Sequence, residues 1–344
     1  MSAGLYDIGG FSTVMEKLAN KLVENGHDVT IGALWFRRFP SKGSFKVDTI
    51  PVGNALKLRR FLEKFDVIHN HHPLTNYLAL ICRKPFIYHY HGAPDFGRGY
   101  LYRLSMLSSI KLTNHHFDAV IALSEVASAK FKQHFRSDKL HLIYNGVETD
   151  LFKPGLEEKF RKGEPQFLFV GNLYEHKNVE EIIFALKLLS KEYPNACLQI
   201  IGNGAMYGRL KNIVSKLGLE NHVDLVGSVS SLELPYYYAS CDVYVTASRW
   251  ELFGLPLLEA MSCGKPVVVS SIPSHLELVT QSNAGETYAV GDVPVLCNKM
   301  IRTYEEREKY RENAINFAKE HDWSVVAGRV MTIYLKLLEE YNKA

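Results

Sequence analysis

Short apolar runs rich in β-branched and aromatic residues alternate along this chain with stretches whose apolar positions recur at helical spacing. That alternation marks βαβ units and a mainly parallel sheet. Phe11–Asn25 reads as an amphipathic helix with Val14, Leu18, Leu22 and Val23 inward, ended by Gly26. Strands are predicted over Asp28–Leu34, Asp66–His69, Phe86–Tyr90, Ala119–Leu123 and Lys139–Tyr144. A second series follows at Gln166–Val170, Cys197–Ile201, His222–Leu225, Val243–Thr246 and Pro266–Ser270, each with a turn and a helix after it. Asn145 to Gly155 is polar and turn-rich, so it reads as the domain junction. The pattern therefore gives an N-terminal domain over 1–147 and a C-terminal domain over 148–322. A long amphipathic helix, Trp323–Tyr341 within 323–344, is placed to cap either domain.

One strand is missing from this pattern. A Rossmann-type half begins with a buried strand leading into its glycine loop, yet Gly9-Gly10 arrives after only eight residues. Met1 to Leu5 supplies at most the end of such a strand, and an absent central strand exposes its neighbours' edges. The expectation is a natural start further upstream, or a trimmed or mis-started copy, with the longer form more soluble and stable.

Composition narrows the class. At 344 residues the chain has room for two full cores, with 47% hydrophobic and 22% charged residues. A formal charge of +3 gives no argument for nucleic acid. Five cysteines are scattered through apolar stretches and never form C-x-x-C, which suits reduced, buried thiols. With no spanning apolar run and no signal peptide in the sequence, the expected location is the cytoplasm.

The densest candidate chemistry lies in Ser248 to Ala260. Gly254 permits a tight turn, Pro256 suits a first helical turn, and Cys263-Gly264-Lys265-Pro266 stops the helix. Glu251 then precedes the helix and Glu259 lies about one turn inside it. Backbone N–H groups near Phe253, Gly254 and Leu255 make an anion site aided by the helix dipole. Two carboxylates around a phosphate-sized anion site suit a nucleotide sugar; a surface helix with two solvated acids fits the same spacing.

Other residues are weighed in the same way. Among fourteen histidines, His69, His71 and His72 crowd a strand end, but lack the helix-borne pair of a metal site. His91, followed by Gly92 at a strand's carboxyl end, is suited to hydrogen-bonding sugar hydroxyls with an imidazole that titrates near neutral pH. Ser274-His275-Leu276-Glu277 reads as a capping box. Gly202 and Gly204 fit a tight βα turn and do not complete a dinucleotide fingerprint. Glu148-Thr149-Asp150, the nearest approach to a metal-binding Asp-x-Asp, reads as solvated acids at the junction.

Taken together the motifs resemble a retaining glycosyltransferase of family four, among the glycosyl transferases of group 1. The pieces are Gly9-Gly10, Asn25 to Val29, Asp66 to His69, His89 to Gly92, Asp118 to Ser124, Ile143 to Val147 with Phe152 to Pro154, Phe169 to Gly171 with Lys177, Ile201 to Gly204, and the Glu251/Glu259 element. The resemblance implies an α/β GT-B fold: two facing Rossmann-like domains with mainly parallel sheets and an interdomain cleft. It implies a nucleoside-diphosphate sugar as donor, with Glu259 on the ribose hydroxyls and Glu251 on the transferred sugar. The amides of Phe253, Gly254 and Leu255 take phosphate or sugar oxygens, and Lys177 neutralises the diphosphate. Gly9-Gly10 lets backbone approach the diphosphate, and His91 sits near the reacting sugar. Catalysis then rests on His91, Glu251 and Lys177, with no metal and no further cofactor. One departure is plain: where the family usually has Gly-Arg, this chain has Gly171-Asn172, so a charged donor contact is replaced by a neutral one. Arg249 is placed either to compensate or to lie at the surface.

The reaction implied is transfer of a hexose from a UDP- or GDP-sugar to a glycan or lipid-linked acceptor. Arg37-Arg38, Lys57 to Phe61, and Tyr100 to Lys111 mix cations with apolar residues, which suits peripheral contact with an anionic membrane; solvated helix faces explain them too. A nucleotide-sugar epimerase of the same fold and a nucleotide-sugar-binding protein without turnover remain the alternatives.

Overall fold

The computed structural model describes residues 10–33, 44–51, 53–91, 100–132 and 139–343. The chain divides into two compact units, residues 1–146 with 323–344 and residues 147–322. The first runs through α1 (Gly10–Glu24), β1 (Thr30–Ala33), β2 (Lys46–Thr49), α2 (Ala55–Leu62), β3 (Ile68–Asn70), β4 (Phe86–Tyr90), α3 (Tyr100–Thr113), β5 (Ala119–Ala122), α4 (Glu125–Lys132) and β6 (Leu140–Leu142). The second holds β7 (Gln166–Val170), α5 (Val179–Leu189), β8 (Cys197–Ile201), α6 (Tyr207–Lys216), β9 (Val223–Gly227), α7 (Leu234–Ser240), β10 (Val243–Thr246) and α8 (Leu255–Ser262). It closes with β11 (Val267–Ser270), α9 (Pro273–Ser282), β12 (Gly285–Tyr288), α10 (Val293–Glu305) and α11 (Arg307–Glu320). Helix α12 (Trp323–Lys343) belongs to the first unit. Among the described residues no helix is long and apolar enough to cross a membrane.

In the first unit β3, β4, β5 and β6 form one parallel sheet in that order, and β1 and β2 pair separately. All five residues of β4 are buried, as a central parallel strand requires. Helix α1 buries Val14, Leu18 and Leu22 and ends at Gly26, whose φ of 88° is a conformation glycine adopts at little cost. Gly146 lies flat on the Trp323 indole, where a Cβ would stand 2.6 Å from the ring. A cavity of about 660 Å³ in this unit is lined by residues of α1 and β1, by His69 and His71, and by Tyr334 of α12. The upstream-strand expectation rests on residues 1–9, which lie outside the described residues, as do Gly92, Arg37 and Arg38.

The second unit has a six-stranded sheet, all parallel, in the order β12-β11-β10-β7-β8-β9. This is the doubly wound order, and its direction of winding reverses between β7 and β10. Phe167, Phe169, Leu198, Ile200, Val243 and Val245 fill the sheet, and Ile182, Ile183 and Leu186 of α5 cover it. Each such side chain contributes about 1.5–3 kcal/mol on burial. At the amino ends of the strands Arg161 grips the Asp242 carboxylate through both terminal nitrogens, Nη1 to Oδ1 at 3.1 Å and Nη2 to Oδ2 at 3.0 Å. Asp242 in turn accepts the Gln166 N–H at 2.7 Å.

Two strands escape the apolar-run reading. All four residues of β2 are exposed, and β12 is a polar, half-buried edge strand. The Ser274 capping box is also corrected. Pro273 opens α9, Ile272 precedes it without a side-chain cap, and Ser274 donates its hydroxyl to the Glu251 carbonyl at 3.0 Å.

Candidate functional site

Two loops of the second unit leave the sheet on either side of the winding reversal. After β7 the chain makes a 3-10 turn, Glu175–Lys177; after β10 it runs through Ser248 to Gly254 into α8. These loops bring the Lys177 ammonium onto Oε1 of Glu251, with both side chains under one-fifth exposed. Ser248 donates to the same carboxylate at 3.1 Å. Burial by itself would raise the Glu251 carboxyl, but Lys177, His275 and the Ser248 hydrogen bond outweigh it and hold the group below the ordinary carboxylate value. Glu251 is therefore anionic at neutral pH.

Helix α8 begins at Gly254, whose φ is 100°, with no side chain capping it. A Cβ there would stand 3.0 Å from Leu257, so the turn needs glycine on two counts. Pro256 is in the first helical turn and has no N–H to satisfy. Among the described residues no acceptor takes the Gly254 or Leu255 N–H. Phe253 is buried beside them. Glu259 lies one turn along, where the Tyr238 hydroxyl donates to its Oε2 at 2.7 Å. Tyr238 is fully buried, and its contact with Glu259 is a feature that sequence reasoning missed. The run Tyr236-Tyr237-Tyr238 was the available signal; helix α7 decides which ring turns inward.

Backbone closeness fixes the loop after β7. A Cβ on Gly202 would sit 1.9 Å from the Gly171 carbonyl oxygen, and one on Gly204 would sit 2.5 Å from that of Leu173. Both glycines thus serve tight βα packing. Asn172 is exposed at the end of this strand. Arg249 is exposed too, with its guanidinium 3.3 Å from Asn178 Oδ1. Thr149 is tied by its N–H and hydroxyl to Asp322, at 3.2 and 2.7 Å.

The remaining candidates belong to the first unit. Gly10 opens α1, and Gly9 lies outside the described residues. His91 follows β4, with Nε2 3.0 Å from Nδ1 of His71. Burial first, then His89 and His72, push His91 well below the usual histidine range, so the expectation of titration near neutral pH is corrected. The histidine crowd is also regrouped. His72 turns away to accept the Leu74 N–H at 3.2 Å, while His69 stacks with His89 of the next strand and His71 packs tilted against it.

Known proteins agree with this architecture. The profile of "Glycosyl transferases group 1" matches residues 156–321, and that of "Glycosyltransferase Family 4" matches residues 8–151. An uncharacterized glycosyltransferase of Methanocaldococcus jannaschii is 28% identical, covering 96% of this chain and 95% of its own. A phosphatidyl-myo-inositol mannosyltransferase of Propionibacterium freudenreichii is 27% identical over 97% of this chain and 93% of its own. The crystal structure of HepE from Anabaena, in complex with UDP and glucose, superposes with a TM-score of 0.80 at 22% identity, covering 95% of this chain and 96% of that one. The chain therefore belongs to the glycosyl transferases of group 1, and its two Rossmann-like units are those of the GT-B fold.

Proposed function

We propose that the protein is a retaining hexosyltransferase that moves a hexose from a UDP- or GDP-sugar to a glycan or lipid-linked acceptor. The observation that carries this reading is the meeting of Lys177 and Glu251 beside the open N–H groups of α8. They meet where the winding of the sheet reverses, the place where open α/β sheets bind ligands. A diphosphate competes for the Lys177 ammonium. Once Lys177 turns to the phosphates, the Glu251 carboxylate is released to accept hydroxyls of the sugar. The Gly254 and Leu255 N–H groups and the α8 dipole hold the second charge of the diphosphate. Glu259, oriented by Tyr238, accepts the ribose hydroxyls.

In the reaction the bond from the anomeric carbon to the phosphate oxygen breaks, and negative charge grows on the departing nucleoside diphosphate. The acceptor oxygen bonds to the same face of that carbon, and its proton passes to the leaving phosphate, so configuration is retained. Stabilising the departing charge is the main demand, and Lys177 with the helix N–H groups meets it without a divalent ion at the diphosphate. The relative named for phosphatidyl-myo-inositol supports a lipid-linked acceptor. Helix α3 exposes Leu104, Leu107 and Leu112 beside Lys111, which supports contact with an anionic membrane surface.

The test is incubation with labelled UDP- and GDP-hexoses and candidate acceptors. Nucleotide release with transfer of label supports the reading. An altered sugar points to the epimerase, and binding without product to a protein lacking turnover. Lys177→Ala and Glu251→Ala each lower kcat by roughly 10²–10³ if these groups act in the transition state.

A further inference from the structure

Two successive strands of the first unit end in the same pattern, His69-Asn70-His71 and His89-Tyr90-His91. Their register pairs His69 with Ile87 and Asn70 with Tyr88, so the histidines alternate onto one face of the sheet. The rings of His69 and His71 are 4.3 Å apart, those of His71 and His89 4.9 Å, and those of His69 and His89 5.3 Å. One nitrogen from each of the three lies within 4.8 Å of the others. His71 and His89 are 5% and 4% exposed. Among the described residues neither ring nitrogen of His89 has a hydrogen-bond partner, which is costly for a buried imidazole.

We infer that His69, His71 and His89 form a binding site for one divalent transition-metal ion, zinc in the first place. Imidazole suits zinc, and the set contains no carboxylate of the kind that magnesium or calcium requires. Tetrahedral zinc at ~2.0–2.1 Å from each nitrogen needs them ~3.3 Å apart, so on binding the rings tilt out of their stacks to aim their nitrogens at one ion. An outer shell is in place. The Tyr334 hydroxyl lies 2.6 Å from Nδ1 of His69, and His91 Nε2 lies 3.0 Å from Nδ1 of His71, so these two ligands present Nε2 to the ion. His69 and His71 line the unit's cavity, and three imidazoles leave the fourth tetrahedral position to water or an anionic oxygen. The ion braces β3 against β4 and steadies His91 through His71. It takes no part in the chemistry proposed for the second unit.

The experiment uses the full chain without an affinity tag, stripped with a chelator and titrated with zinc, with bound metal counted by mass spectrometry. One zinc per chain, a raised melting temperature, and visible ligand-field bands of tetrahedral cobalt after Co²⁺ substitution are expected. Tyr334→Phe, which keeps the packing, weakens binding by roughly 10–100-fold. His89→Leu abolishes binding while circular dichroism stays that of the parent. The inference is overturned if the folded parent takes up no stoichiometric zinc or its cobalt form lacks those bands. Equal binding in His89→Leu also overturns it.

Discussion

Lys177→Met keeps most of the aliphatic stem and removes the ammonium that faces Glu251, a carboxylate 17% exposed. Breaking a buried ion pair costs about 3–5 kcal/mol when the surviving charge stays buried. Here the carboxyl escapes part of that cost by taking a proton, at ~1.4 kcal/mol for each unit its pKa must be overcome. The expected loss near neutral pH is therefore about 2–4 kcal/mol, or roughly 4–16 °C in Tm for a unit of this size. The pH dependence has a definite sign. In the parent Glu251 ionises below the ordinary carboxylate value, so its stabilisation is full above that value and fades as pH falls through the lowered one. In the variant the Lys177 charge is gone and only His275 and the Ser248 hydrogen bond oppose burial, so the carboxyl rises from its value in the parent, and the deficit is largest at neutral pH and narrows in acid. Urea denaturation of parent, Lys177→Met, Glu251→Gln and the double variant, at two pH values, reads all of this. The double variant should recover over half of the Lys177→Met deficit. A deficit that does not change with pH, or two substitutions whose costs simply add, refutes the reasoning.

Four further outcomes are expected. Tyr238→Phe removes the 2.7 Å bond to Glu259, so donor KM rises by about 5–100-fold with kcat little changed, as steady-state kinetics will read. Gly202→Ala puts a methyl 1.9 Å from the Gly171 oxygen and should cost on the order of 4 kcal/mol or more, whereas Gly208→Ala in α6 meets nothing within 4 Å and should stabilise by up to ~1 kcal/mol. Asn172→Arg adds the charge that the family usually carries there and should tighten nucleotide binding about tenfold, measured by calorimetry. His275 is fully buried with its pKa held down to about 4, so its contribution is full above ~6.5 and falls by about 3 kcal/mol as pH drops to ~4; His275→Leu should flatten that part of the stability profile.

What the sequence made legible follows from how strands are buried. β4, β7, β8 and β10 were readable to the residue because central parallel strands are buried on both faces and so are mostly apolar, with His89, Gln166, Gln199 and Thr246 the polar exceptions. β2, with Lys46 and Asp48, and β12, with Gly285 and Glu286, carry no such signal. Ser274 satisfied the capping pattern but was drawn to Glu251 by a tertiary contact that local spacing cannot encode. The pairing of Lys177 with Glu251 spans two loops, and its geometry depends on the strand order. The histidine group was hidden for a related reason: its ligands come from alternate positions on neighbouring strands, and only the recurrence of His-x-His at two strand ends hinted at it.

The most direct measurement is a crystal structure of the protein soaked with UDP or GDP. Diphosphate oxygens on the Gly254 and Leu255 N–H groups, with Lys177 swung from Glu251 to the phosphates, are the predicted result. A nucleotide bound elsewhere, with Lys177 still on Glu251 and those N–H groups facing only water, would contradict it.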